Sequence, residues 1–185
     1  MEILGLSGSL RRDSHNTRLL EGTRELLAPG TRLVIFDQLA AIPPYSEDLE
    51  AEQPTPPAVA ALKAAIERAD ALLIATPEYN GSIPGQLKNA LDWASRPVAS
   101  TPLRDKPAAV IGASAGLFGA VWAQAELRKV LRTIGARVVD LELPIPQAQE
   151  TLGDDGLPRD RAAREQLEAI VSALLELAQP VQLAA

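Results

Sequence analysis

The sequence of 185 residues contains no cysteine and a single histidine, His15. The lack of cysteine excludes disulfides, thiolate metal sites and cysteine nucleophiles, and it agrees with the reducing cytoplasm that we expect as the location. With one histidine, a multi-histidine zinc site is impossible, and a Ser-His-Asp triad would depend on His15 alone. We therefore predict that the chain binds no metal.

Excess positive charge and long apolar runs are also missing. The 18 Lys and Arg residues are outnumbered by 24 Asp and Glu residues, which gives a formal net charge of −6. Nucleic acid and anionic membranes attract clustered Lys and Arg, so neither is an expected partner. No apolar run is long enough to span a bilayer, and we expect no signal peptide, since polar residues begin at Ser7.

The remaining composition is that of an ordinary globular protein. Apolar residues make up 46% of the chain and charged residues 23%. A chain of this length can bury a substantial core. We therefore predict a single domain over residues 1–185.

Short apolar runs alternate with segments whose apolar residues recur at helical spacing. The predicted strands are Glu2–Leu6, Thr31–Phe36, Asp70–Thr76, Pro107–Ala113 and Ala136–Leu143. The predicted helices are Asn16–Leu27, Ala58–Ala69, Pro84–Ala94, Phe118–Gly135 and Arg161–Ala178. This alternation predicts an α/β fold in which a doubly wound, five-stranded parallel sheet carries helices on both faces.

Two long segments are predicted as loops. The proline-rich, acidic segment Asp37–Pro57 is longer than a simple connection needs, and it is interpreted either as a lid or partner contact or as a solvated excursion. Pro144–Arg159 contains Asp154-Asp155-Gly156, which is typical of a turn.

The segment from Gly5 to Thr17 has the composition of a phosphate-binding loop. It joins the first strand to a helix whose N-terminus supplies unpaired N–H groups and a partial positive charge. Gly8 permits close approach of the backbone, and Arg11 or Arg12 offers a planar, charged guanidinium group. Short polar donors are Ser7, Ser9, Ser14, Asn16 and Thr17.

Two common phosphate loops are excluded. A P-loop needs a Gly-Lys pair, which occurs nowhere in the chain, and the G-x-G-x-x-G fingerprint fails because Gly5-x-x-Gly8 has no third glycine before the helix. The segment would then hold one terminal phosphate through hydroxyl groups. The alternative is a serine-rich turn that does no more than cap the helix.

Ligands of doubly wound sheets bind outside the carboxyl ends of the strands. The loops after the first, third and fourth strands are the unusual ones. The third-strand loop carries Tyr79-Asn80-Gly81 between prolines, and the fourth-strand loop carries Ser114, Gly116 and Gly119. Together they suit a flat, partly apolar ligand with one phosphate. Few side chains resemble acids or bases, which is typical of flavin proteins, because the cofactor supplies the chemistry.

Two motifs carry a resemblance to a known family. The first is Gly8-Ser9-Leu10-Arg11-x-x-Ser14-x-Asn16. The second is Thr76-Pro77-Glu78-Tyr79-Asn80-Gly81-Ser82-Ile83-Pro84-Gly85-x-Leu87-Lys88-Asn89-x-x-Asp92-Trp93. The sequence resembles, over essentially its whole length, the NADPH-dependent FMN reductases, and especially the group of bacterial quinone, chromate and azo-dye reductases.

The resemblance implies a flavodoxin-like sheet of order 2-1-3-4-5, noncovalent FMN, and a homodimer or homotetramer. It also implies ping-pong transfer of a hydride from NADPH or NADH through flavin N5 to a small-molecule acceptor, which would be a quinone, an azo compound, a chromate-like oxyanion or free flavin. The implied phosphate ligands are Ser9, Arg11, Ser14, Asn16 and Thr17. The residues implied to line the flavin ring are Pro77, Glu78, Tyr79, Asn80 and Gly81, with Ser114 and Gly116 closing the far side.

Several alternatives stay open at this point. The chain could be a flavodoxin-like electron carrier or flavin-binding module without turnover of its own, although its 3% aromatic content favours an accessible flavin. A flavin-free phosphate binder is a further alternative. Glu78 could cap a helix or bridge subunits, and Tyr79 could serve packing. His15 is interpreted as a solvated loop residue, with a substrate contact as the alternative, and Trp93 as a core residue or a dimer contact.

Overall fold

The computed structural model describes residues 1–179; residues 180–185 of the predicted domain lie outside the described part. The strands are β1 (Glu2–Ser7), β2 (Arg32–Ile35), β3 (Ala71–Thr76), β4 (Pro107–Ala113), β5 (Arg137–Val138) and β6 (Pro144–Ile145). The helices are α1 (His15–Gly22), α2 (Glu47–Ala51), α3 (Pro57–Arg68), α4 (Gly85–Ala94), α5 (Val121–Ile134), α6 (Ala148–Thr151) and α7 (Arg161–Ala178). Short 3₁₀ helices are Thr23–Leu26, Leu39–Ala41 and Val98–Ser100.

The strands form one parallel sheet in the order β2-β1-β3-β4-β5, with β6 also paired to β4. The predicted flavodoxin-like order is therefore confirmed. Alternate strand residues point to opposite faces of the sheet. Leu4 and Leu72 pack in a cluster with α3, α4 and α5, whereas Ile3 and Leu73 pack with α1 and α7. Both faces of the sheet are thus covered by helices.

The predicted fifth strand, Ala136–Leu143, is wrong in its extent. Two short strands replace the predicted single strand. β5 pairs with the start of β4, and β6 pairs with the end of β4. Between them, the buried Gln124 of α5 donates to Leu143 O and accepts from Leu143 N, both at 3.0 Å. A side-chain amide thus takes the place of a strand partner, and the ladder is interrupted there. The predicted loop Pro144–Arg159 consequently contains β6 and α6.

The first helix is shorter than predicted. Its α-helical part ends at Gly22, and residues 23–26 form a 3₁₀ turn. A side chain at Gly22 would meet the backbone oxygen of Asp155 at 2.8 Å, so the turn 153–156 packs directly on this glycine. The turn predicted at Asp154-Asp155-Gly156 is present, with Gly156 at φ +78°.

The proline-rich segment packs on the body of the protein through Leu39 and Ile42, whereas most residues from 46 to 54 are exposed, so its role stays a prediction. It includes α2, which Ser46 caps by accepting the N–H of Leu49, and it is bound to α4 by side chains of that helix. Pro43 O accepts hydrogen bonds of 2.8 Å from Asn89 Nδ2 and from Trp93 Nε1. Trp93 is 1% exposed and belongs to the core, so its interpretation as a dimer contact is wrong for this structure.

We predict that Gln124→Leu lowers the free energy of unfolding by about 2–4 kcal/mol, because Gly119 O and both backbone groups of Leu143 lose their partner in a buried environment. Urea unfolding followed by circular dichroism measures the change. Gln166→Leu is the matched control, because its amide donates to Glu142 O near the surface, and we expect a change within about 0.5 kcal/mol. Equal losses in the two variants would contradict the role given to Gln124.

Candidate active site

The carboxyl ends of β1, β3 and β4 open onto a cleft with a volume of about 350 Å³. That volume lies within the range of about 300–1,000 Å³ that is typical of small-molecule sites. The cleft is lined by Ser9, Arg11, Ser14, His15, Asn16, Pro77, Glu78, Tyr79, Ala113, Ser114, Ala115, Gly116, Leu117 and Phe118. The three loops that the sequence singled out therefore meet at one site.

The first wall of the cleft is built by the loop after β1 and the N-terminus of α1. Ser14 is the N-cap residue, and its Oγ accepts the N–H of Thr17 at 3.2 Å. The other N–H groups of the first turn have no partner within the helix. Arg11 is exposed, and its Nη2 donates to Asp13 O at 2.5 Å, which holds the guanidinium group along the loop. Hydroxyl, amide N–H and guanidinium donors thus lie side by side, which is the chemistry of an anion site.

Asn16 connects this wall to the centre of the sheet. Its side chain is buried, Nδ2 donates to Ala113 O at 2.9 Å, and Oδ1 accepts from Ala113 N at 3.0 Å. Both functional atoms of the amide are therefore occupied by the end of β4. Asn16 lines the cleft, but its amide holds the loops together.

The second wall comes from the loop after β3. Tyr79 and Ser82 exchange backbone hydrogen bonds of 3.0 and 3.2 Å across a tight turn. The turn places Asn80 and Gly81 at positive φ, 55° and 75°, on the exposed side away from the cleft. Glu78 Oε2 accepts from Trp122 N at 3.0 Å and from Ala123 N at 3.1 Å. Glu78 thus caps α5, one of the alternatives left open by the sequence.

The third wall is the loop after β4, which residues 145–148 brace. Ser114 N donates to Ile145 O, Gln147 N donates to Gly116 O, and Ala148 N donates to Ser114 O, all between 2.9 and 3.0 Å. Gly119, at φ +62°, leaves no room for a side chain, because a Cβ would lie 2.5 Å from Ile145 N. The split of the fifth strand is therefore what supports this wall.

Nine of the twelve predicted cofactor-binding residues line the cleft: Ser9, Arg11, Ser14, Asn16, Pro77, Glu78, Tyr79, Ser114 and Gly116. Thr17, Asn80 and Gly81 do not. Thr17 Oγ1 donates to Ser7 Oγ at 2.8 Å and lines a neighbouring cleft between β1 and β2. The roles of all twelve in binding a cofactor stay predictions.

Sequence reasoning missed two parts of the cleft. His15, interpreted as solvated, is the first residue of α1, is partly buried, and lines the cleft. Because His15 lies between Ser14 and Asn16, which were both proposed as ligands, the sequence could have indicated that it lines the cleft. Leu117 and Phe118 also line the cleft, and their place beside Gly116 was the corresponding signal.

The imidazole of His15 is in an environment that disfavours its charged form. Burial is the main cause that lowers its pKa below the ordinary value, and the positive charges of Arg11 and Arg18 lower it further. Within residues 1–179, the buried Nδ1 of His15 has no hydrogen-bond partner.

The outer rim of the cleft is aromatic. Tyr79, Phe118 and Trp122 are 52%, 61% and 50% exposed, and the Phe118 and Trp122 rings lie 4.8 Å apart between centroids. Exposed apolar groups that adjoin one another mark contact sites for ligands or proteins. The cleft is thus polar and cationic at the α1 end and apolar at its rim.

The described residues contain no group of three or more His, Asp and Glu side chains that could hold a metal ion. In the same part of the chain, no helix has both the length and the apolar character needed to cross a membrane.

The sheet order and the position of the cleft at the carboxyl ends of the strands define a flavodoxin-like fold. The sequence model of the NADPH-dependent FMN reductase family matches residues 1–150. The chain is 43% identical to an NAD(P)H-dependent FMN reductase of Pseudomonas aeruginosa over 175 residues, which cover 94% of this chain and 93% of the relative.

A plant relative and a solved structure are also similar. The NAD(P)H:quinone oxidoreductase of Solanum tuberosum is 36% identical, with 96% of this chain and 93% of the relative covered. The flavoenzyme NAD(P)H:(acceptor) oxidoreductase FerB from Paracoccus denitrificans superposes with a TM-score of 0.82 at 36% identity, covering 96% of each chain. The chain belongs to the NADPH-dependent FMN reductase family.

Proposed function

We propose that the protein is an NAD(P)H-dependent FMN oxidoreductase that reduces a small-molecule acceptor, most simply a quinone. The observation that carries this proposal is the arrangement of one cleft: anion donors at the α1 end, backbone walls from the β3 and β4 loops, and an exposed aromatic rim. Membership of the family and the relatives named as FMN and quinone reductases support it.

The donors at the α1 end fit the phosphate of FMN. A flavin phosphate carries close to two negative charges at neutral pH and offers three acceptor oxygens. Ser9, Ser14 and Arg11 supply hydroxyl and guanidinium donors on the same wall, and the first turn of α1 adds N–H groups and its partial positive charge. Among the described residues, this wall of the cleft is lined by no carboxylate, since the neighbouring Asp13 is exposed and does not line the cleft.

The remaining walls would orient the flavin ring. One side of the cleft is formed by Pro77, Glu78 and Tyr79, and the other by Ser114 and Gly116. The first loop is held by the hydrogen bonds of Glu78 to α5, and the second by residues 145–148. When FMN is bound, it supplies hydride acceptance from the nicotinamide and delivery of the electrons to the acceptor. The chain itself contributes position, charge at the phosphate and exclusion of water from one side of the ring.

The acceptor would contact the aromatic rim. Trp122 and Phe118 present adjoining, half-exposed rings beside the loop that lines the cleft. Such a surface favours flat, apolar acceptors over compact anions, because burial of apolar area stabilises the former and desolvation opposes the latter.

The homodimer or homotetramer expected from the sequence remains a proposal, as does the cytoplasmic location. Light scattering of the purified protein measures the oligomeric state directly, and a monomer at micromolar concentration would count against the proposed homodimer or homotetramer.

The proposed function predicts a yellow purified protein whose visible flavin absorption bleaches when NADPH is added under argon and returns when a quinone is added. A flavin that stays oxidised with both NADPH and NADH would identify an electron carrier or binding module. A colourless protein that takes up no added FMN would refute the cofactor assignment.

We predict that Arg11→Ala weakens FMN binding about ten- to a hundredfold, because one charge-assisted hydrogen bond to a phosphate stabilises by about 1.5–3 kcal/mol. Quenching of flavin fluorescence measures the affinity. Arg12→Ala is the control, since Arg12 neighbours Arg11 but does not line the cleft. Unchanged affinity in the Arg11 variant would remove it from the phosphate site.

We predict that Trp122→Ser raises KM for an apolar naphthoquinone about three- to tenfold through lost apolar contact. KM for the compact anionic acceptor hexacyanoferrate(III) should stay unchanged. Light scattering is the companion measurement. If the variant has a lower mass than wild type and the same KM values for both acceptors, the aromatic rim is instead a contact between copies of the chain.

A further inference from the structure

His15 is the side chain of the cleft that the proposed function leaves unused. It is the first residue of α1, directly after the N-cap Ser14, and it lines the same wall as Ser9 and Arg11. A phosphate held by the first turn of α1 would therefore lie beside the imidazole ring.

In the described part of the chain, no hydrogen-bond acceptor contacts the buried Nδ1 of this ring. Its Nδ1 is buried without a partner, so neither a carboxylate nor a carbonyl oxygen stabilises the protonated form there. Burial, Arg11 and Arg18 all lower its pKa. With no anion in the cleft, burial and the two arginines therefore favour the neutral form of the ring.

The charges around His15 come from three elements. Arg11 and Asp13 belong to the loop before α1, and Arg18 lies one turn further along the helix, with Nη2 donating to Gly153 O at 2.7 Å. On the opposite wall is Glu78, whose carboxylate is occupied by the N–H groups of α5. Of these charges, Arg11 and Arg18 are the ones that lower the pKa of His15, so the field at the ring is positive and an added phosphate opposes it.

We propose that His15 takes up a proton from solvent when the phosphate of FMN binds, and that the cleft thereby selects phosphorylated flavin in a pH-dependent way. The inference rests on the proposed function. No covalent bond changes: the imidazole becomes imidazolium, and its charge offsets that of the phosphate beside Arg11. An anion within about 4–6 Å favours the charged form of a histidine.

The sign of the pH dependence follows from the two states of the ring. The pKa of His15 is lowered in the free protein and raised by the phosphate in the complex. The proton-linked part of FMN affinity is therefore fully present at pH values below the free-protein pKa and is lost as the pH rises through the pKa of the complex. Riboflavin, which lacks the phosphate, should show no such change.

The phosphate titrates in the same range, with a second pKa of about 6, and the dianion is expected to bind more tightly as the pH rises. This opposing effect is common to wild type and variants. The comparison is therefore the ratio of FMN affinities between wild type and His15→Gln, measured by flavin fluorescence from pH 5.5 to 8.5 in the full-length chain freed of flavin. We expect this ratio to fall about tenfold, which corresponds to a pKa difference of about one unit between free and bound states.

A second measurement needs no variant. Because the chain has one histidine, a single set of imidazole signals reports its pKa by NMR in the free, riboflavin-bound and FMN-bound protein. We expect the FMN complex alone to show a raised value, and calorimetry in buffers of different ionisation heat to show proton uptake with FMN only.

The outcomes separate the two proposals. If FMN and riboflavin both bind and His15 has the same pKa in both complexes, the inference about His15 is overturned and the proposed function stands. If neither flavin binds at any pH, the proposed function fails, and the inference fails with it. A raised pKa in the FMN complex, together with the falling affinity ratio, supports both.

Discussion

Two hydrogen bonds between Asn16 and the backbone of Ala113 fix the start of α1 against the end of β4. The cleft depends on this contact, because it joins the wall that carries the anion donors to the wall that carries Ser114 and Gly116. Both amide atoms and both backbone groups are satisfied away from water, where an unpaired polar group is costly. The helix N-terminus, its Ser14 cap and the exposed Arg11 are consequently presented from a rigid base rather than from a free loop.

Two other side chains near the site also form hydrogen bonds with backbone groups. Gln124 holds the segment between β5 and β6, and Glu78 holds the start of α5. Each polar side chain satisfies backbone groups that a longer strand or an earlier helix turn would otherwise pair. The sheet edge can therefore end in irregular loops without leaving buried N–H and C=O groups unpaired. The positions of the loops at this edge are set by hydrogen bonds from side chains to the backbone, while the apolar layers on each side of the sheet stabilise the fold.

Periodicity predicted the alternation of strands and helices, the burial of β3 and the bounds of α7, because these depend on local apolar spacing, whereas the strand order came from the family resemblance. The split fifth strand could not be predicted, since it depends on Gln124, which lies 19 residues before Leu143. The residue type of Asn16 indicated a donor and it was predicted as a phosphate ligand, but the sequence does not show that its amide pairs with Ala113, which lies 97 residues away. The choice between core and interface for Trp93 stayed open because the sequence does not show that Pro43 O accepts its N–H.

The cleft changes from charged to apolar along its length, and this gradient explains why so few acids and bases are present. At the α1 end, Arg11, Arg18 and the helix N-terminus make the field positive, and His15 is the only group there whose ordinary pKa is close to neutral. At the rim, Phe118 and Trp122 contribute area and no charge. A site of this kind contributes to the reaction by positioning the ring of a bound cofactor and by the electrostatic field at the anion end of the cleft. Because His15 is the group at that end whose charge changes in the proposed protonation, the proton would alter the binding of a phosphate without altering the apolar surface that an acceptor would meet.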